Sequence, residues 1–319
     1  MAASIDCLCA GIIVADMVCQ PIDVMPPAGA LVKTERIEFS IGGCSANMAV
    51  DMTRLGLNVG LSGRVGQDLF AREVRERLNQ SGVDTTRLEE SKTTPTSSTF
   101  VVNVKGEDRR FIHCVGANAE FDGTQLGEDD IRSAKSIFLG GYCLMEAMTP
   151  ERVMRLFRIA REAGVITGLN VVIPEKTDMR AWLSPVFAWT DYFFCNNDEA
   201  EQITGESDVI RQAEALQKLG VRTAVVTHGH RGAVVFSPDQ RLRAGVYPVK
   251  PIDGTGTGDA FASGFLYGLL RRESLVESLK LGTALGASCV RSMGATTGVF
   301  NEHELRDYVA ANPLVIESF

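Results

Sequence analysis

Asp253-Gly254-Thr255-Gly256-Thr257-Gly258-Asp259-Ala260-Phe261 is the densest signal in the chain; it follows the strand-like run Val246 to Ile252 and opens an apolar helix, Ala260 to Leu270. A glycine loop at a helix N-terminus turns unpaired N–H groups and the positive end of the helix dipole toward an anion, and glycine lets a phosphate approach the backbone closely. The same glycines would also serve a tight turn that holds no ligand. Asp259 bears on the choice, because a carboxylate beside a bare phosphate site repels its ligand, whereas phosphoryl transfer needs one there to take the proton of the attacking hydroxyl. An N-cap role for Asp259 stays open.

Working outward, short apolar runs at Ile5 to Val14, Val59 to Val65, Ser136 to Leu139, Val165 to Val172, Tyr192 to Cys195 and Thr223 to Thr227 read as buried strands. Between several of them lie amphipathic helices: Asp68 to Gln80 stops at Gly82, Thr149-Pro150 opens one that closes at Gly164, and Ser207 caps one that ends near Gly220. Alternation of this kind predicts β-α-β units in a doubly wound α/β core, a mostly parallel sheet with helices on both faces. Ala30 to Ser40 and Thr99 to Val115 break the pattern, with strand periodicity and no helices; Lys105 to Asp108 reads as a hairpin turn, so these segments predict a small separate β-layer. A last helix runs near Asn301 to Ala310, where Asn301 and Glu304 have capping-box spacing.

The 319 residues, 45% hydrophobic and 23% charged, exclude a disordered or fibrous chain. A formal charge of −8 with no long basic run argues against nucleic acid or an anionic membrane as partner. The eight cysteines include no C-x-x-C pair and lie mostly in apolar runs, which predicts buried free thiols in a reducing, cytoplasmic setting. No uncharged apolar run approaches membrane-spanning length, and the N-terminus has no basic region before its first apolar stretch.

Other enzyme motifs fail. A dinucleotide-binding loop would need a second strand ending in an acidic residue, but helices follow Asp259; no Gly-Lys-Ser or Gly-Lys-Thr, H-E-x-x-H or G-x-S-x-G occurs. Two further constellations fit the glycine loop. Ile41-Gly42-Gly43-Cys44-Ser45-Ala46-Asn47 is a paired-glycine turn into a helix from Ala46 to Leu55, and Asn47 offers a donor and an acceptor to a hydroxyl, although a capping or surface amide reads the same. Asn196-Asn197-Asp198-Glu199 follows the strand Tyr192 to Cys195, at the sheet edge where open α/β folds bind ligands; its acidic groups suit Mg²⁺ through water, or simply the helix dipole.

Together these segments resemble the PfkB, or ribokinase-like, family of carbohydrate kinases nearly end to end. Gly11 to Asp16 resembles its first strand and substrate-binding Asp, Gly42-Gly43-x-x-x-Asn47 its glycine pair, Asn196-x-x-Glu199 its N-x-x-E, Thr227-x-Gly229-x-x-Gly232 its nucleotide-side turn, and Asp253-x-x-Gly256-x-Gly258-Asp259 its carboxy-terminal signature. Gly116-Ala117-Asn118-Ala119 is similar to the segment after its lid hairpin. The resemblance implies one ribokinase-like domain over 1–319, with a lid from segments near 14–41 and 97–115. It implies ATP-dependent phosphorylation of a hydroxymethyl group on an unphosphorylated sugar, with Asp259 as general base and the backbone of Gly256, Thr257 and Gly258 as anion hole.

By the same resemblance Asp16, Gly42, Gly43 and Asn47 bind the acceptor; Asn196, Thr227, Gly229, Gly232 and Thr283 bind the nucleotide; Glu199 serves Mg²⁺; and Asp253 with the Thr255 carbonyl holds a monovalent cation such as K⁺. The chain departs from the family pattern at Val14, Gly254, Thr257 and Thr283. Sugar-phosphate relatives often carry Lys where Cys44 stands, although Arg109 and Arg110 offer another route to a phosphate. A nucleoside or sugar-phosphate kinase of the same fold, or a silent sugar- or nucleotide-binding protein, remains the alternative. The apolar faces of the hairpin 99–115 predict a homodimer through the lid, against a lid folded on its own core.

Overall fold

The computed structural model describes residues 5–107, 110–174 and 177–319. The chain runs through β1 (Cys7–Gly11), β2 (Val14–Ile22), β3 (Ile37–Gly42), α1 (Cys44–Arg54), β4 (Val59–Val65), α2 (Leu69–Gln80) and β5 (Asp84–Glu90). The hairpin β6 (Ser98–Val104) and β7 (Arg110–Cys114) leads to α3 (Glu128–Ser133), β8 (Ser136–Gly140), α4 (Pro150–Glu162), β9 (Ile166–Asn170), α5 (Arg180–Phe187) and β10 (Tyr192–Asn196). Next come α6 (Asn197–Thr204), α7 (Val209–Lys218), β11 (Thr223–Thr227), β12 (Ala233–Phe236), β13 (Arg241–Ala244), α8 (Thr257–Leu270), α9 (Leu275–Cys289), α10 (Glu302–Ala311) and β14 (Ile316–Ser318).

Ten strands form one sheet in the order β14-β13-β12-β11-β10-β9-β8-β1-β4-β5, and β3-β2-β6-β7 form a second. From β5 to β11 every pairing in the large sheet is parallel, whereas β11 to β14 pair antiparallel. Alternate residues of β1 enter opposite cores: Cys7 and Cys9 join α1, α8 and α9, and Leu8 and Ala10 join α3, α4, α5 and α7. Both faces are covered, so the doubly wound architecture holds, and the small second sheet is the expected β-layer. Among the described residues no helix is long and apolar enough to cross a membrane.

Several sequence expectations change. The apolar run Ile5 to Val14 is two strands in two sheets, broken at Gly11, whose φ of 134° lets the chain leave the large sheet. In Ala30 to Ser40 only Ile37 onward is strand. Val246 to Ile252 is no strand: Pro248 and Pro251 have no N–H to give a ladder, and among the described residues the segment has no backbone partner before Ile252 donates to the Val290 carbonyl at 2.7 Å. Asp208, not Ser207, caps α7, because its carboxylate accepts from the Ile210 and Arg211 amides. Cys114 is exposed on β7, although all eight cysteines are free thiols. Asp108 and Arg109 of the hairpin lie outside the described residues.

α8 is set against α9 by glycines. A β-carbon on Gly264 would stand 2.6 Å from the Leu281 carbonyl oxygen, and one on Gly282 2.8 Å from that of Phe261, so the helices approach at backbone distance. Gly286 is different: its added β-carbon would meet Phe261 at an ordinary 3.4 Å. Helix propensity alone favours Ala over Gly by about 1 kcal/mol. Gly286→Ala is therefore expected to raise the urea midpoint, while Gly264→Ala lowers it because overpacking costs about 1–3 kcal/mol. Equal shifts in the two variants would remove this account of the helix pair.

Candidate active site

Two helices that start on glycines of positive φ meet at the carboxyl edge of the large sheet. α1 begins after Gly43 (φ 89°) and α8 after Gly256 (φ 75°), and neither carries a capping side chain. By contrast Asp68, Asn196, Asp208, Ser274 and Asn301 cap α2, α6, α7, α9 and α10. The α8 end thus leaves its first-turn N–H groups without the side-chain partner those helices have. A β-carbon on Gly258 would meet nothing within 4 Å, so this glycine faces open space, whereas one on Gly256 would strike Ala295 at 2.5 Å. Thr257 donates its hydroxyl to the Gly254 carbonyl at 2.9 Å and closes the loop.

Asp259, in the first turn of α8, is buried. Its Oδ2 accepts from Asn47 Nδ2 at 2.9 Å and its Oδ1 from Asn170 Nδ2 at 3.1 Å; the Cys44 thiol also donates to it. Burial raises the Asp259 pKa above its ordinary value, and the three donors work against the rise. Asn47 keeps a second function free, since its Oδ1 is buried with no partner among the described residues. An unpaired buried acceptor costs roughly 1–3 kcal/mol. A ligand hydroxyl donated to Asn47 Oδ1 would recover that cost beside the Asp259 carboxyl.

Asp16, on β2, lies over the glycine pair, and a β-carbon on Gly42 would sit 2.0 Å from its Oδ2. Burial first, and the charge of Asp253, push the Asp16 carboxyl up to about 6, against a hydrogen bond from Thr99. Gly43 is held at the crossing, where a β-carbon would be 2.6 Å from the Ile12 carbonyl oxygen. Asn118, in the short turn Gly116–Glu120, fixes the same crossing: it accepts from Ile13 N at 3.1 Å and donates to Ile13 O at 3.0 Å.

On the other side of Asp259, Asn196 and Thr227 end adjacent strands in register. Asn196 and Glu199 form a reciprocal capping box at 2.8 and 3.0 Å, so the spacing read from the sequence has a structural use as well. Burial first, then the charges of Asp259 and Asp198, push Glu199 up to about 7, although its residue is only half-buried by exposed area; the carboxyl sits in the denser part. Gly229 opens a short turn after β11, and a β-carbon there would meet nothing within 4 Å. Gly232 is demanded by packing, since a β-carbon would lie 1.9 Å from the Ala244 carbonyl oxygen. Thr283 spends its hydroxyl on Leu279 O of its own helix at 2.8 Å.

Asp253 is buried and internally engaged: Oδ1 accepts from Thr255 N and Oγ1 at 2.9 and 2.7 Å, and Oδ2 from Gly294 N at 2.9 Å. The Thr255 carbonyl accepts from Cys289 Sγ at 3.2 Å. Sequence reasoning gave no place beside Asp259 to Asn170 or to the Cys44 thiol. Asn170 ends β9 inside an apolar run, and its Oδ1 accepts from Gly141 N at 2.7 Å, which fixes the amide so that Nδ2 faces Asp259. The available signal was a lone amide at a strand's carboxyl end.

A carboxylate at the bare N-terminus of a glycine-opened helix, beside acceptors for hydroxyls and on the carboxyl edge of a parallel sheet, defines a small-molecule phosphotransferase. The family profile described as pfkB family carbohydrate kinase matches residues 4–302, and the chain belongs to this family. It is accordingly a kinase that acts on a hydroxyl group. The 5-dehydro-2-deoxygluconokinase of Clostridium botulinum (strain Eklund 17B / Type B) is 24% identical over 314 residues, covering 91% of this chain and 88% of that protein. The ribokinase of Haemophilus influenzae is 26% identical over 287 residues, covering 88% and 91%. The solved structure of Arabidopsis thaliana ribokinase complexed with ribose and ATP superimposes with a TM-score of 0.83 at 21% identity, over 95% of this chain and 98% of that one, and shares the fold.

The Asn170 contact has a direct consequence. Because its amide lowers the Asp259 pKa, Asn170→Ala should raise the titration midpoint of the Asp259 carboxyl, followed by ¹³C NMR. An unchanged midpoint would mean that Asn170 does not hold the charge.

Proposed function

We propose that the chain transfers the γ-phosphoryl group of ATP to a hydroxymethyl group of an unphosphorylated sugar. The single observation that carries this reading is Asp259, buried at the uncapped start of α8 and clamped by Asn47 and Asn170. In the reading the acceptor hydroxyl donates its proton to Asp259 as its oxygen attacks, and Asn47 Oδ1 and Asp16 hold neighbouring hydroxyls. The N–H groups of Gly256, Thr257 and Gly258 face the charge that builds on the transferring phosphoryl. Asn196, Thr227 and Gly229 flank the polyphosphate, Gly232 supports their turn from behind, and Thr283 lies on the nucleotide side. Of the two arginines that offered a route to a substrate phosphate, the described one, Arg110, is paired with Glu107, which favours an acceptor without one. The whole chain then acts as one catalytic unit with the four-stranded sheet as its lid, in the cytoplasm.

Glu199 fits a divalent cation: one oxygen is committed to Asn196 N, and its elevated pKa marks a carboxylate short of positive charge. Mg²⁺, when bound, supplies charge neutralisation to the polyphosphate. The K⁺ site implied by the resemblance fits less well, since the Asp253 oxygens already accept hydrogens from within the chain. No step here depends on potassium.

Asp259→Asn should leave a folded protein that binds nucleotide but turns over about 10²- to 10⁴-fold more slowly, the usual worth of a positioned base. ADP release near the parental rate would sink the assignment. We also propose a homodimer through the lid. Phe100 pairs with Ile112 across β6 and β7, and both are exposed, Ile112 at 64%. Sedimentation should show a dimer at micromolar concentration that Ile112→Asp dissociates; a parental monomer would rule it out.

A further inference from the structure

Behind the Asn47–Asp259 contact the seam between α1 and α8 holds a second carboxyl that the proposed reaction does not use. Both helices start at the carboxyl edge of the large sheet and touch there, Asn47 Nδ2 on Asp259 Oδ2 at 2.9 Å. One turn further along each helix, on the same faces as Asn47 and Asp259, lie Asp51 and Ser263. Both residues are fully buried, and among the described residues Asp51 Oδ1, Asp51 Oδ2 and Ser263 Oγ have no hydrogen-bond partner.

The titratable and charged groups around Asp51 come from four elements. On its own helix, Arg54 gives its guanidinium to the Thr296 and Val299 carbonyls at 2.6 and 2.9 Å and brings no nitrogen to the Asp51 oxygens. From α8 comes the charge of Asp259. β1 contributes the Cys9 thiol and α9 the Cys289 thiol, and the charge of Asp51 helps to raise both. Cys9 Sγ lies 3.8 Å from Cys7 Sγ, and Cys289 Sγ is turned to the Thr255 and Ala295 carbonyls at 3.2 and 3.1 Å, so neither thiol serves Asp51. β4 turns Val59, Leu61 and Val65 to this core, β8 turns Phe138 to it, and Glu38 of β3 is engaged by Arg36.

A carboxylate without a donor or a cation in such a core costs far more than the neutral acid, which need only tuck a hydroxyl away. Asp259 differs from Asp51 in this respect: it has the amides of Asn47 and Asn170 to hold its charge. Two carboxyls on successive rungs of one seam also titrate as a pair, each keeping its proton more tightly while the other is charged. Burial and the charge of Asp259 act on Asp51 in the same direction.

We propose that Asp51 is a positioning residue that stays protonated while Asp259 is ionised, and that its own ionisation at alkaline pH forces α1 from α8, parts Asn47 from the base and ends turnover. The site thus holds two carboxyls and one negative charge in its working state. The inference rests on the reading of Asp259 as the base and adds the group that closes the alkaline side of its pH window.

The test is the pH profile of kcat for the full-length chain, with ATP and whichever of D-ribose, D-fructose and D-gluconate it phosphorylates fastest. The parental profile should fall on both sides, and Asp51→Asn, which copies the neutral acid, should keep the acid limb and lose the alkaline one. Two readouts need no acceptor. In ¹³C NMR of the unsubstituted chain the Asp51 carboxyl should be protonated at pH 7, and in Asp259→Asn its midpoint should move down. In urea, the folded state keeps a proton that the unfolded chain gives up. The parental unfolding constant relative to that of Asp51→Asn should therefore rise about tenfold per pH unit from about pH 5 upward, until Asp51 ionises. An alkaline limb that persists in Asp51→Asn or is missing from the parent, an ionised Asp51 at pH 7, or a midpoint unmoved in Asp259→Asn overturns the inference and leaves the kinase reading intact. Turnover near the parental rate in Asp259→Asn, or none with any acceptor in a folded parental chain, overturns both.

Discussion

The structure depends on keeping one carboxylate charged while it is buried. Removing an ion from water costs several kcal/mol, and Asp259 is repaid by hydrogen bonds of the charge-assisted kind, about 1.5–3 kcal/mol each. Those bonds come from three places in the chain: Asn47 on α1, Asn170 on β9 and the thiol of Cys44. Each must be immobile for the clamp to work. Ser45 ties the start of α1 to the sheet by donating to the Ala10 carbonyl at 2.6 Å, Gly141 N fixes the Asn170 amide at 2.7 Å, and the glycine contacts with α9 fix the axis of α8. The site is thus a meeting of two helix ends and a strand end.

The crossing between the sheets is the second dependency. Between Gly11 and Val14 the chain leaves the large sheet and enters the four-stranded one, and Asn118, just beyond the hairpin β6–β7, grips both backbone groups of Ile13. Entry to and exit from the second sheet are therefore locked to each other. That lock places Asp16 over the glycine pair.

Much of this was legible in the sequence because local rules carried it. Asp259 and the glycines before it announce a bare helix start, and Asn47 follows its glycine pair at a fixed helical offset. Asn196 and Glu199 were legible as a pair, although their spacing serves a capping box at the same time. Asn170 was not legible, since its partner lies 89 residues away and a single amide in an apolar run carries no periodic signal. The unbroken apolar run from Ile5 to Val14 hid a change of sheet, because strands buried in either sheet look alike in composition. The extended segment before α8 imitated a strand in hydropathy, and only its two prolines argued otherwise. The short antiparallel strands β12 to β14 gave too few residues for a period to register.

The raised pKa values of the site share one cause. Asp16, Glu199 and Asp259 are each lifted chiefly by burial, and among the described residues no lysine or arginine lowers any of them. Asp51, one turn beyond Asn47, is fully buried with neither oxygen partnered among the described residues, and burial and the charge of Asp259 lift its pKa well above the ordinary value. A site made this way is over-supplied with carboxyl groups and balanced only by the partial charges of helix ends, roughly half an elementary charge each. Such a balance can hold Asp259 ionised, but it cannot also neutralise a polyphosphate. The anionic donor must therefore arrive with its own cation, and an acceptor that carried a further negative charge would deepen the imbalance at the moment of transfer. On the proposed reading, in which Asp259 takes the acceptor's proton, the same electrostatics favours an acceptor without charge.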